Sequence, residues 1–349
     1  MVGSASQVNF RRRHTMMNPS VARIRAFLAP MLAAGAVLAA GPALAQTEMI
    51  ITSELAPTHW KSKQMDGLAA DIVKRTEGRI NAKVFHSAQL YDDKSAINAI
   101  GTGSVHMAWP ASLWVEAIEP RYGVANLLFG LRDEDMLDPA IREPLKDYLS
   151  SLIEKKGMRV LALYRTTELA LLSNRAPLTS ADDLRGMKVR IPGGAVMREF
   201  SAGAGLRGVT LPASEVVPAM LQGVIDGAIT SPGVWKQFGP KVSLTRLPGL
   251  LIAHYSVIVD RAWLDKLEAR DRDAILAAVK SLDERQWREA MAAEQVPMDE
   301  MVKKGAKLGV LPEPAVAQLH KIADKANGEF GKKYPDEYKK YASIIRKQK

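Results

Sequence analysis

Apolar residues along this chain switch between two spacings, and the switches mark its elements. Positions 49–55 predict a strand running into a polar turn, and 65–76 sets Met65, Leu68, Ala69, Ile72 and Val73 on one helical face before Gly78. A strand over 80–85, a helix over 92–100 closed by Gly101 and Gly103, and a strand over 104–109 ending at Pro110 follow. A helix over 145–156 leads to the apolar strand 158–164, and 169–173 with 188–191 reads as the start of a second sheet. Then come a helix over 195–202, a helix over 214–222 capped by Ser214 with Pro218 in its first turn, and a strand over 224–230. Positions 250–259 form a long apolar strand containing His254. A helix begins over 262–267, and 271–296 holds neither Gly nor Pro before Pro297, long enough to span two lobes. The remainder, 298–349, reads as mostly helical. Strands alternating with helices in this way predict an α/β fold with sheets covered on both faces.

Within that pattern, 183–194 is the most pointed stretch. Met187, Val189 and Ile191 alternate with Lys188 and Arg190, a strand burying one row. Pro192 ends it, and Gly193 and Gly194 turn the chain. Arg190 thus stands at the carboxyl end of an α/β strand, where open sheets bind ligands, and its guanidinium suits two-point capture of a carboxylate. A solvated edge charge or a structural ion pair fits the same residue.

Charge changes the picture at one end only. The 349 residues carry a formal +10, and positions 1–45 hold five arginines, at 11–13, 23 and 25, with no acid; without them the surplus is +5. The apolar run 26–40 after Arg23 and Arg25, followed by Ala43-Leu44-Ala45, predicts a signal peptide cleaved after Ala45 and export to the periplasm. No cysteine is present, which excludes disulfides, thiol catalysis and a lipidated N-terminal cysteine. No basic cluster is interleaved with aromatics, so nucleic acid is not an expected partner.

Chemistry-bearing motifs are sparse. Gly203-Ala204-Gly205-Leu206-Arg207-Gly208 matches a dinucleotide fingerprint but follows a helix and precedes a strand, the reverse of what that site needs. His59, His86, His106 and His254 lack metal-ligand spacing, and Asp92-Asp93 and Asp182-Asp183 read as helix starts. No metal, cofactor or catalytic nucleophile is expected. Trp60, Trp109, Trp114 and Trp235 fall in loops or at strand ends, as does Tyr164, each fitting a core or a pocket wall; Trp109 beside Pro110 is the first choice for a pocket. Glu54, Arg165 and Glu168 are charges on or next to apolar strands, where burial would demand a partner.

Ordered blocks then carry a resemblance. Thr76-Glu77-Gly78-Arg79-Ile80, Val84 to Leu90 and Ile100 to Ala108 come first; Ser173-Asn174-Arg175 leads to Asp183 through Pro192; Ser214-Glu215-Val216 leads to Gly223-Val224-Ile225-Asp226-Gly227. Together they resemble the solute-binding proteins of tripartite ATP-independent periplasmic (TRAP) transporters, the DctP family. The resemblance implies a two-lobed α/β binding-protein fold with an interlobe cleft and a long helix bracing both lobes, lobe I from 46–163 with 251–288 and lobe II from 164–250 with 289–349. It implies a non-enzymatic monomer that closes on a small organic acid and delivers it to small and large membrane subunits. Arg190 falls where the family grips a carboxylate. Two departures bear on the solute: after Asp226-Gly227, where many relatives place an acid and an asparagine, the run is Ala228-Ile229-Thr230-Ser231-Pro232, and a second arginine is missing near Glu168 unless Arg165 supplies it. Thr230, Ser231, Trp109, Trp235, Glu54, Arg165 and Glu168 are the further expected pocket residues, and both dicarboxylates and monocarboxylates with an apolar part fit. A ligand-reporting partner of a sensor, or an exported α/β enzyme, are the alternatives.

Overall fold

A computed structural model of the chain describes residues 46–345. The signal segment predicted over 1–45 lies outside the described residues. The chain begins with strand β1 (Thr47–Thr52), helix α1 (Trp60–Arg75), β2 (Ile80–Phe85), α2 (Asp93–Ala99), β3 (Met107–Ala108) and α3 (Ser112–Val115). Next come α4 (Asp133–Leu137), α5 (Pro139–Ile153), β4 (Met158–Glu168), β5 (Ala170–Ser173), β6 (Lys188–Ile191), α6 (Ala195–Gly203), β7 (Arg207–Thr210) and α7 (Ala213–Leu221). The last part holds β8 (Gly227–Thr230), β9 (Ser243–Arg246), β10 (Ile252–Asp260), α8 (Arg261–Lys266), α9 (Ala269–Lys303), β11 (Leu308–Val310), α10 (Glu313–Lys333) and α11 (Pro335–Ile345).

Two mixed sheets result. The first runs β2-β1-β3-β10-β4 and the second β11-β9-β5-β8-β6-β7. In the first, β1 is parallel to both β2 and β3, while β10 is antiparallel to β3 and β4. All nine residues of β10 are buried, as expected of a strand covered on both faces. In the second sheet, β6 lies parallel between β7 and β8, and β5 is antiparallel to β8 and β9. The chain passes between sheets where β4 gives way to β5 and returns between β9 and β10, and only Leu169 separates the first pair of strands.

Helix α9 ties the two together. Its 35 residues extend about 52 Å at the usual rise. Ile275, Val279 and Leu282 pack into the first sheet's core with Met65 and Val257. Met298 and Met301, four turns on, join Leu172, Leu244 and Trp235 under the second sheet.

Four expectations need correction. Helix α9 does not stop at Pro297: the proline forfeits one helical hydrogen bond, but the burial of Met298 and Met301 beyond it carries the helix to Lys303. Pro218 lies in the second turn of α7, whose N-cap is Pro212 with no side-chain cap, so Ser214 does not cap it. The third strand shortens to Met107–Ala108, and β11 forms inside a region expected to be helical, pairing parallel with β9 at the sheet edge.

Candidate functional site

The row alternation at β6 holds for Lys188, which is exposed, but Arg190 is buried along with Val189 and Ile191. Flanked by β7 and β8, the Arg190 side chain reaches backbone at the ends of both: Nε donates to the Leu211 carbonyl at 2.8 Å and Nη1 to the Ile229 carbonyl at 3.1 Å. Among the described residues no carboxylate forms an ion pair with it. Burial lowers its pKa to about 10, opposed by the charge of Glu54, so it remains a cation at neutral pH.

Arg190 opens on a cavity of about 60 Å³ lined from both sheets. Thr230 and Ser231 at the end of β8 join it from the second sheet; Glu54, Asp93, Tyr255 and Trp114 come from elements of the first. Thr166 at the end of β4 completes the wall. Ser231 Oγ accepts the Gly233 amide at 3.1 Å, capping a 3-10 turn and fixing its own orientation.

Opposite the arginine stands a charged cluster. Glu54, buried where β1 ends, accepts the Asp93 amide at Oε2 across 3.4 Å. Burial first, then the nearby Asp93, push its pKa up to about 8 against the pull of Lys61 and Arg190. Asp93 opens α2 behind its cap Asp92 and points inward, accepting the Ala111 amide at 3.1 Å. Burial raises its pKa too, against the pull of Lys61. Lys61 is fully buried: Nζ lies 3.5 Å from Asp93 Oδ1, donates to the Trp109 carbonyl at 2.8 Å, and sits 3.9 Å from the Tyr255 ring centroid. His59, also lining the cavity, caps α1 by accepting the Lys61 amide at Nδ1, and burial drives its pKa down to about 4.

The structure therefore brings together Arg190, Glu54, Thr230 and Ser231 from the sequence-predicted set and separates the rest. Trp109 is 1% exposed, packed edge-on against Tyr164 at 4.9 Å, and serves the site only through its carbonyl. Trp235 is fully buried, its indole N–H donating to the Val242 carbonyl at 2.8 Å, a core role. Arg165 pairs with both Asp133 oxygens at 2.7 and 3.1 Å and with Glu294, while Glu168 accepts Arg246 at 2.9 Å and the Gly249 amide at 2.8 Å. These two line a separate cavity of about 230 Å³, where their charge is answered by protein. Neither supplies a second carboxylate clamp beside Arg190.

Lys61, Asp93, Thr166 and Tyr255 escaped sequence reasoning. Lys61 had a signal: it stands four residues before Met65, on the stripe that buries Met65, Leu68 and Ile72, where a lysine is out of place. Asp93 was hidden behind its helix-start role. Among the described residues no group of three or more His, Asp or Glu side chains converges as a metal site.

Two mixed sheets, a chain crossing between them, a helix spanning both and a cavity with a buried arginine at their strand ends define an α/β solute-binding protein. Residues 51–333 match the family of bacterial extracellular solute-binding proteins, family 7 (DctP), and the chain belongs to that family. It is 29% identical over 248 residues to the C4-dicarboxylate-binding periplasmic protein DctP of Rhodobacter capsulatus, covering 68% of this chain and 72% of that one. Among solved structures it resembles a succinate-bound TRAP periplasmic solute-binding protein of Sulfurospirillum deleyianum, at TM-score 0.79 and 24% identity over 86% of this chain and 99% of the other. The galactonate-bound sugar acid binding protein of Advenella mimigardefordensis superposes at TM-score 0.81 with 18% identity, covering 86% and 98%.

Proposed function

We propose that this chain captures a small organic carboxylate in the cavity over Arg190 and delivers it, as a monomer in the periplasm, to the small and large membrane subunits of a TRAP-type secondary transporter. The two sheets and their helices act as lobes, 46–163 with 251–288 and 164–250 with 289–345, that close on the solute. One observation carries the reading. Arg190 is a buried guanidinium braced by two backbone carbonyls, facing a cavity, with no acid paired to it among the described residues. A cation kept out of water without a counter-charge is costly, and a ligand carboxylate relieves that cost with charge-assisted hydrogen bonds. The carboxylates and sugar acids named for the relatives support the same class of ligand. Receptor chemistry needs no nucleophile, and the family is one of solute receptors.

The test is a thermal-shift screen of the purified protein against carboxylates, neutral sugars and amines, followed by calorimetry on hits. Stabilisation confined to carboxylates and lost in Arg190→Ala is the expected result. Stabilisation by uncharged compounds alone, or an Arg190→Ala protein that binds as before, would refute it.

A further inference from the structure

Resting on the carboxylate reading, we infer that the His59 ring, pressed against Gly233, is the partition that sets how long an acid this protein holds: short acids fit inside it and longer ones are penalised. The cavity over Arg190 is small. Its volume of about 60 Å³ has room for about four or five waters, the bulk of an acid with few carbons. Beside it lies a second chamber of about 410 Å³, rimmed by the exposed Lys63, Lys236 and Gln237 and so open at the surface. His59 and Leu55 line both spaces and therefore stand between them.

The ring closes that boundary because it is held in place and meets bare backbone on the far side. His59 Nδ1 accepts the Lys61 amide at 3.1 Å, and the ring centroid lies 5.4 Å from that of Trp60. Across the boundary, the 3-10 turn that follows β8 brings in Gly233, whose amide is anchored on Ser231 Oγ at 3.1 Å. A Cβ on Gly233 would lie 3.3 Å from His59 Nε2 and 3.7 Å from Trp60 Nε1, so the missing side chain is what lets the second sheet's turn close on the first sheet's ring. A solute that outgrows the inner cavity must displace this contact or hold the two sides apart. Leu113 and Trp114 form the corresponding boundary with a third space of about 370 Å³, but charge favours the His59 side for an anion. The chamber beyond His59 is lined by two lysines and no acid; Lys236 pairs with Glu300 outside it, while Lys63 has no ion pair among the described residues. The space beyond Trp114 mixes Glu116, Glu199 and Glu329 with Arg198 and Lys333.

Calorimetry on the full chain tests this by comparing the tightest of lactate, pyruvate and succinate with the tightest of gluconate, suberate and octanoate. The wild type should favour the short acid by about tenfold or more. His59→Ser and His59→Asn keep an oxygen to cap α1 while removing the ring, and should shrink that ratio about tenfold or reverse it. Either variant serves if it keeps a cooperative melting transition. Trp114→Ala, which opens the other boundary, should shrink the ratio less. Long acids binding the wild type as tightly as short ones, or more so, would overturn the inference, as would a ratio unmoved in the folded His59 variants or moved more by Trp114→Ala. If long acids bind the wild type as well and that binding is lost in Arg190→Ala, the carboxylate reading stands and only the length limit falls. Binding of no acid at all removes both.

Discussion

The backbone amide of Asp93 donates to Glu54 Oε2 at 3.4 Å, bringing two buried carboxyls to one wall of the cavity. Arg190, Tyr255 and His59 face the same space, and the fully buried Lys61 lies 3.5 Å from Asp93. The Glu54 pKa, raised to about 8, lies above its unfolded value, so between the two the folded protein keeps a proton that the unfolded chain has released. Stability then falls as pH rises through this window, by up to about 1.4 kcal/mol per pH unit for one proton. Urea unfolding between pH 5 and 9 should show Glu54→Gln gaining on the wild type as pH rises, with the gap levelling above about pH 8. Parallel profiles would mean that Glu54 ionises as freely in the folded protein as in water.

Arg190→Lys should weaken carboxylate binding about ten- to a hundredfold, roughly 1.4 to 3 kcal/mol, although charge is conserved. The guanidinium is oriented by the Leu211 and Ile229 carbonyls through Nε and Nη1, which leaves its remaining edge aimed and rigid. A lysine ammonium has one centre to share between those carbonyls and the ligand. Calorimetry with the best-bound acid reads the loss, and equal affinity would show that only net charge matters.

Arg165 predicts the opposite kind of defect. Removing it strands Asp133 and Glu294, one partly and one largely buried, without their cation. Arg165→Ala should cost about 3 kcal/mol of stability while leaving the ranking of ligands untouched. A changed ranking in a folded Arg165→Ala protein would return this residue to the binding site.

Much of this was legible because strand and helix periods are strong where one face is buried. Leu171, Val189 and Ile229 lie in strands anticipated from their runs, and Arg190 was found because it interrupts an apolar row next to a proline and two glycines. The tryptophans misled. Trp109 and Trp235 stand at strand and turn ends, as pocket aromatics do, yet sequence does not say which side of the sheet covers them, and here it is core. Arg165 and Glu168 failed for a related reason: their partners Asp133, Glu294 and Arg246 are 32, 129 and 78 residues away, pairings that only the fold creates. Pro297 shows tertiary burial overriding a local stop signal.

Gly194 offers the sharpest backbone test, because geometry and crowding act together there. It precedes α6 at φ 87° and ψ 141°, a region that side chains disfavour. A Cβ at this position would lie 2.8 Å from Leu113 Cδ2 and 3.0 Å from Glu116 Oε1. Glu116 has little freedom to yield, since its oxygens accept the Asn126 amide group and the Ala195 amide, each at 2.7 Å. Gly194→Ala should therefore cost on the order of 1–3 kcal/mol and, by disturbing the turn after Arg190, also weaken carboxylate binding. Gly223 is the control: it has φ 68° but nothing within 4 Å of a Cβ, so Gly223→Ala should show the conformational cost alone with affinity unchanged. Paired melting curves and calorimetry decide the matter. Equal penalties at the two glycines would mean that Leu113 and Glu116 give way freely, and that the turn does not hold Arg190 in place.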